Sequence, residues 1–351
     1  MRRRRHTPGS RSVAAVVGAL VLLAAAGCTA GTPTAVEATA PSAPTPTPTS
    51  SAAHTIAFDG SCADMLPADR LESLIGADAA LVDTSRQADV GLGTLGGLQC
   101  VWRTASGASA SPSGALTLSV DALPASAVAD DLADEVSTAR CDYELGLATC
   151  EVGEGSDGTW ITARASYDAL ERPSDVQPLT DLVTSTLAAV ASSASGAVRP
   201  VALQTAPEWW RLGLDCTEFG NRLGMADFLG EHYVTGWWEG DPTARWEYRV
   251  PSRAGTTQVC MWFPDAAASA PSATYGLTSV TLSPGGSWDQ DRLLSLGNRV
   301  ELAGGRIAVV DGTRAVAVDG VNVASVDVGS GATGDPTVLL ERVLDAMDSS
   351  R

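Results

Sequence analysis

The chain has no lysine and only three histidines in 351 residues, so all 23 of its basic side chains are arginine. The lack of lysine, beside so much Ala, Gly and Val, speaks of codon usage rather than of function. His6 lies in a basic N-terminal run and His54 in a polar tail, which leaves His232 as the one histidine of the expected folded part. A Ser-His-Asp triad would have to rest on it, in "GEHYVTG", without a G-x-S-x-G elbow; a surface or capping histidine is the blander reading. Cys-x-x-Cys is also missing, and with so few histidines a metal site lacks ligands. No cofactor is expected. The longest N-terminal apolar run, "VAAVVGALVLLAAA", is shorter than the about 20 residues that span a membrane.

What is there begins with order. The run "MRRRRHTPGSRS" is basic, the apolar stretch follows, and "AGC" closes it, which is the layout of a secretory signal over residues 1–27. Five arginines lie in that signal, leaving 18 basic against 41 acidic residues and a net charge of −23. Nucleic acid and anionic lipid heads are poor partners for such a chain. Residues 28–54 are almost wholly Thr, Ala, Pro and Ser, cannot bury a core, and read as an extended tether.

"LLAAAGC" resembles the lipobox of bacterial lipoproteins, with Ala25 standing where the motif usually carries Leu. The resemblance implies acylation of Cys28, a membrane partner through that lipid, and a place on the extracytoplasmic face of the cell membrane.

The other six cysteines suit an oxidising compartment and allow 15 pairings. A repeat selects one. "GLQCVWR" at 97–103 returns as "TQVCMWF" at 257–263, and "GSCADMLPADRLESLIG" is matched by "LDCTEFGNRLGMADFLG". The pairing is then Cys62 with Cys100, Cys216 with Cys260, and Cys141 with Cys150. Pro178 and Pro336, each opening a terminal helix, repeat at a similar interval. Two tandem modules follow, 55–195 and 208–351, joined by a linker at 196–207.

Each module reads as α+β, a mainly antiparallel sheet with helices packed on one face and a disulfide staple. An early helix carries Leu71, Leu74 and Ile75 in one copy and Leu223, Phe228 and Leu229 in the other. A middle helix carries Val128, Leu132 and Val136. Asp311-Gly312 and Asp319-Gly320 mark tight turns in a terminal meander. The early Cys, the Cys-x-Trp strand and the tether after a lipobox together resemble the uncharacterised secreted lipoprotein domains of mycobacteria and related actinobacteria, a family that implies this architecture and no activity. Cys141 and Cys150 close a loop in the first copy alone.

"GLGTLG" at 91–96 and "GSGATG" at 329–334 fit a dinucleotide fingerprint in spelling only. The first runs into a strand and the second leaves too little chain for another parallel strand, so both read as turns. Carboxylates Glu208, Glu239 and Asp241 lie near tryptophans, as in sugar-cleaving sites that use two acids, but among 41 acids such neighbours arise anyway.

Aromatic residues are few and unevenly placed: 5 of 18 fall in the first copy and 13 in the second. Trp209, Trp210, Tyr233, Trp237, Trp238 and Trp246 are therefore the candidate contact residues, suited to stacking on sugar rings or to a protein partner. The competing reading is that they fill the core or cover the junction between modules. Trp102 and Trp262 belong to the core beside the disulfides. The expectation is a non-enzymatic, anchored binding or accessory protein of the cell envelope, with an envelope glycan, glycolipid or protein as partner; the alternative is a glycan hydrolase.

Overall fold

In each module the residue just before the first cysteine caps the helix which that cysteine opens. Ser61 Oγ accepts from the Asp64 amide at 3.2 Å at the start of α1 (Cys62–Met65). Asp215 Oδ1 accepts from the amides of Thr217 and Glu218 at 2.8 and 2.9 Å at the start of α6 (Cys216–Leu223). A short polar side chain there satisfies amide groups that the first helical turn leaves orphaned. Pro178 and Pro336 occupy the first turns of α5 (Gln177–Ala194) and α10 (Pro336–Asp348), where the missing N–H costs nothing.

The structure is a computed structural model and describes residues 54–82, 90–105, 115–144, 146–169, 171–231, 233–236, 246–264, 277–329 and 334–349. The first module holds α2 (Ala68–Ile75), α3 (Gly91–Thr94) and α4 (Asp130–Val136), with β1 (Ala80–Leu81), β2 (Leu98–Arg103), β3 (Leu116–Pro124), β4 (Arg140–Glu144), β5 (Leu147–Ser156) and β6 (Thr159–Asp168). The second holds α7 (Ala226–Leu229), α8 (Trp246–Arg253) and α9 (Gln290–Leu293), with β7 (Tyr233–Thr235), β8 (Gln258–Pro264), β9 (Thr278–Ser283), β10 (Asn298–Glu301), β11 (Ile307–Asp311), β12 (Arg314–Asp319) and β13 (Asn322–Val328). Among the described residues no helix is long and apolar enough to cross a membrane.

The strands form two antiparallel sheets, one per module. Their orders are β1-β2-β3-β6-β5-β4 and, read from the matching edge, β7-β8-β9-β13-β12-β11-β10. Apart from β10, an added edge strand, the second order copies the first. The duplication seen in the cysteine spacing is therefore a duplication of topology, and the α+β class with two sheets is what the chain adopts.

Local chemistry sets the hairpins. Asp157 and Gly158, at φ 49° and 83°, link β5 to β6 with both central residues left-handed, the mirror turn that matches strand twist. Between β12 and β13 the turn is Gly320-Val321, with only Gly320 left-handed at φ 59° and Asp319 paired to Asn322 as the last ladder rung.

All three disulfides join the expected cysteines: Cys62–Cys100, Cys141–Cys150 and Cys216–Cys260. Cys141 and Cys150 face one another across the β4–β5 ladder. Beside the two long-range bonds, Trp102 and Trp262 are buried, and Trp262 Nε1 donates to the Cys216 carbonyl at 3.1 Å.

Strand side chains alternate between faces. In the first sheet Leu116, Leu118, Val120, Ile161, Ala163 and Ala165 share a core with Leu179, Val183 and Leu187 of α5. In the second, Ala315, Ala317, Ala324 and Val326 share one with Leu339, Leu340, Val343 and Leu344 of α10. The opposite parity supplies two smaller clusters, and these cross between modules. Leu123 and Trp160 of the first sheet pack with Leu132 and Val136 of α4 and with Trp246 and Val250 of α8, which belongs to the second module. Val309, Val316 and Val323 of the second sheet pack with Leu293 of α9 and with Val90, the residue before α3, which belongs to the first.

The exchange is reciprocal. α3 and α8 are equivalent elements, each preceding its module's Cys-x-Trp strand, and each reaches the other module. Residues 51–351 form one compact unit as a result. The stretch expected to be a linker is part of it: Thr55 and Val201 pair through amide-to-carbonyl bonds of 3.2 and 2.9 Å, and the Leu203 amide donates to the Thr94 carbonyl at 2.9 Å. It is held as a bridging strand segment because its backbone groups find partners in the first module.

Candidate functional site

The glycine-rich stretch at 91–96 owes its composition to this junction. A Cβ added at Gly91 would lie 1.6 Å from Thr257 Oγ1, and one at Gly93 would lie 2.3 Å from the Trp288 ring. Both neighbours belong to the second module, so the glycines let its Thr257 and Trp288 side chains lie against the α3 backbone rather than cradling a phosphate. Thr256 Oγ1 donates to the Gly91 carbonyl at 3.0 Å, and Trp288 Nε1 donates to Thr94 Oγ1 at 3.1 Å. His54 joins the same spot, its Nε2 2.8 Å from the Gly93 carbonyl and its ring 5.3 Å from that of Trp288.

On the α8 side, Trp246 is buried against Leu132 and Trp160; its Nε1 donates to the Leu132 carbonyl at 3.3 Å, and its ring stacks 6.4 Å from that of Trp160. Two ion pairs flank it. Arg249 Nη1 sits 2.7 Å from Glu135 Oε2, and Arg253 Nη1 sits 3.1 Å from Asp131 Oδ2. Both pairs are spaced i, i+4 on their helices, so the four side chains form a two-rung ladder between α8 and α4.

Beside this ladder lies a cleft of about 450 Å³, bounded by Leu132, Leu212, Tyr248, Arg249, Arg253 and Gln258. Gln258 fixes one wall: its Oε1 accepts from the amides of Gly213 and Leu214 at 2.8 and 3.1 Å, and its Nε2 donates to the Leu214 carbonyl at 2.7 Å. The cleft joins apolar walls to polar side chains, as small-molecule sites do. None of the described candidate contact residues, Trp209, Trp210, Tyr233 and Trp246, lines this cleft, and sequence reasoning missed Arg249, Arg253 and Gln258, whose spacing carried no motif.

The candidate contact residues separate. Trp246 is 2% exposed and Trp210 is 3% exposed, so neither offers a ring to a ligand. Both belong to the competing reading: Trp246 seals the junction, and Trp210 enters the second core. The Trp210 amide donates to Asn322 Oδ1 at 3.1 Å, and Asn322 Nδ2 donates back to the Glu208 carbonyl at 3.0 Å, clamping "EWW" against the sheet. Trp209 is half-buried, its ring lying where a Cβ on Gly285 would reach it at 2.2 Å. Tyr233 is half-buried on β7 and donates from its hydroxyl to Asn221 Oδ1 at 2.7 Å; burial pushes that phenol above its ordinary range. Trp237, Trp238, Glu239, Asp241 and His232 lie outside the described residues, as does Cys28. Glu208 is exposed. Among the described residues no group of three His, Cys, Asp or Glu side chains converges as a metal site would.

No family model and no curated protein matches the chain. Among solved structures, the di-domain ARO/CYC StfQ from the steffimycin biosynthetic pathway is similar at 10% identity with a TM-score of 0.14, over 83% of this chain and 92% of that one. A likeness that low carries no argument.

Proposed function

We propose that the protein is a lipid-anchored, extracytoplasmic binding or accessory protein of the cell envelope, without catalytic activity, whose contact surface lies mainly on the second module. The N-terminal order of basic run, apolar run and "AGC" supports the compartment, and three disulfides suit an oxidising one. Each module is read as a sheet with its long helix on one face, the opposite face being given up to its twin.

One observation carries the binding reading. The junction welds both modules into a single body yet leaves an amphipathic cleft open at the second module's edge.

The test has two arms. Growth with an alkyne-tagged fatty acid should label the wild-type protein and leave Cys28→Ala unlabelled and released to the medium; labelling of that variant overturns the anchor. The compact unit, residues 51–351, should co-sediment saturably with isolated envelope fragments and release no reducing sugar from them. No co-sedimentation, or sugar release lost in Glu239→Gln, overturns the binding reading.

A further inference from the structure

We infer that the junction cleft is a binding site for a neutral sugar, one or two rings in extent. The inference deepens the envelope reading and rests on it for the source of the ligand.

The argument runs by charge, shape and donor count. Arg249 and Arg253 stand at the cleft, and each already has a carboxylate partner: Glu135, which Arg140 shares at 3.2 Å, and Asp131. An anion finds both guanidinium groups of the cleft already engaged by carboxylates and meets a chain of strongly negative charge on its way in. A cation would have to compete with guanidinium groups for the same two carboxylates. A purely apolar ligand would bury these polar side chains without replacing their hydrogen bonds to water, which costs free energy. A neutral molecule rich in hydroxyl groups suffers none of these penalties.

The side chains also fit such a molecule positively. A guanidinium carries five N–H donors and a carboxylate about four acceptor positions, more than a single ion pair takes up. The Arg249 pair is held through Nη1 alone, and the Arg253 pair is exposed on both sides, at 61% and 58%. Hydroxyl groups, which both donate and accept, can bridge such a ladder without breaking it. Beside the ladder, Leu132, Leu212 and Tyr248 give apolar surface for the C–H face of a pyranose, as aromatic and aliphatic surfaces do in amphipathic sites. The volume of about 450 Å³ lies in the range of small-molecule sites, about 300–1,000 Å³.

The pseudo-symmetry adds an independent point. Beside α3, the Trp288 ring and His54 pack together against the helix. Beside α8 the described residues leave the cleft instead, so the two ends of one junction differ.

Saturation-transfer NMR on residues 51–351 tests this with maltose, cellobiose, lactose and mannobiose, and with digalacturonate as the acidic control. The expected result is saturable binding of at least one neutral disaccharide and none of digalacturonate. Ser252→Phe, which places a ring in the cleft from the exposed side of α8, should weaken binding at least tenfold. Arg253→Ala should weaken it about tenfold, the scale of one charge-assisted hydrogen bond. Because Arg253 is exposed, that variant keeps the test sound should Ser252→Phe fail to fold. Failure of all four neutral sugars, preference for digalacturonate, or binding untouched by both variants overturns the inference. If envelope co-sedimentation persists through any of these failures, the envelope reading stands and the cleft assignment alone falls.

Discussion

Replacing Trp246 by alanine tests whether the two modules are one body in energy as well as in shape. The side chain is 2% exposed, stacks on Trp160 of the other module and donates to the Leu132 carbonyl at 3.3 Å. Truncating a buried Trp costs about 3–5 kcal/mol, combining lost transfer energy with the cavity left behind. For a unit of this size about 2 °C of melting temperature accompanies each kcal/mol, so a fall of about 6–10 °C is expected by calorimetry. Trp246→Phe keeps most of the ring contact and loses the one hydrogen bond, for about 1 kcal/mol. Hydrogen exchange gives the sharper readout: amides of α4 should open faster in Trp246→Ala although they lie more than 100 residues earlier in the chain. A loss under about 1 kcal/mol, or faster exchange confined to the second module, would refute the reasoning.

Two further outcomes follow from covalent and titrating groups. In the chain-entropy model, replacing either long-range cysteine pair by alanine, with separations of 38 and 44 residues, costs about 4 kcal/mol, and replacing Cys141 with Cys150 costs about 2.5 kcal/mol; urea unfolding should preserve that ranking. Tyr167 and Tyr233 are pushed by burial above the ordinary phenol range, so the folded state favours their neutral forms. Their contribution is complete below about pH 10 and is lost as the pH rises through the raised values, so alkaline unfolding should accompany a late phase in phenolate absorbance. Ionisation of every tyrosine at the pH seen in the denatured chain would contradict this.

The cysteine pairing was legible because duplicated spacing reduces 15 pairings to one, and the meander because Asp-Gly steps need a left-handed residue. The early helices were legible in part: Leu71, Leu74 and Ile75 do share one helix, α2, whereas Leu223 ends α6 at the left-handed Gly224 and Phe228 and Leu229 fall on α7. The reciprocal docking was not. Val128, Leu132 and Val136 repeat at helical spacing, yet the helix begins only at Asp130 and the three residues face Trp246 of the other module rather than their own main core. A periodic pattern says that a face is buried and is silent on what buries it. The same silence made the glycines at 91–96 look like a loose turn, when the reason for them is Thr257 and Trp288, more than 150 residues away in sequence. The two readings of Trp210 and Trp246 could not be separated for a related cause: a tryptophan looks the same in sequence whether its partner is solvent, ligand, core or a second module.

The bond between Thr55 and Val201 gives the molecule a definite mechanical entry point. A pull arriving at residue 54 meets the His54 contacts with the Gly93 carbonyl and the Trp288 ring, then the paired strand segment, then the amide of Ala57 held by the Gly96 carbonyl at 2.8 Å. Seven residues after Thr55 it reaches Cys62, whose disulfide carries the load across to Cys100 in β2. Extension therefore stops within a short length of chain, and tension is shared by the inner strands of the first sheet while the second module's cleft stays outside the line of force.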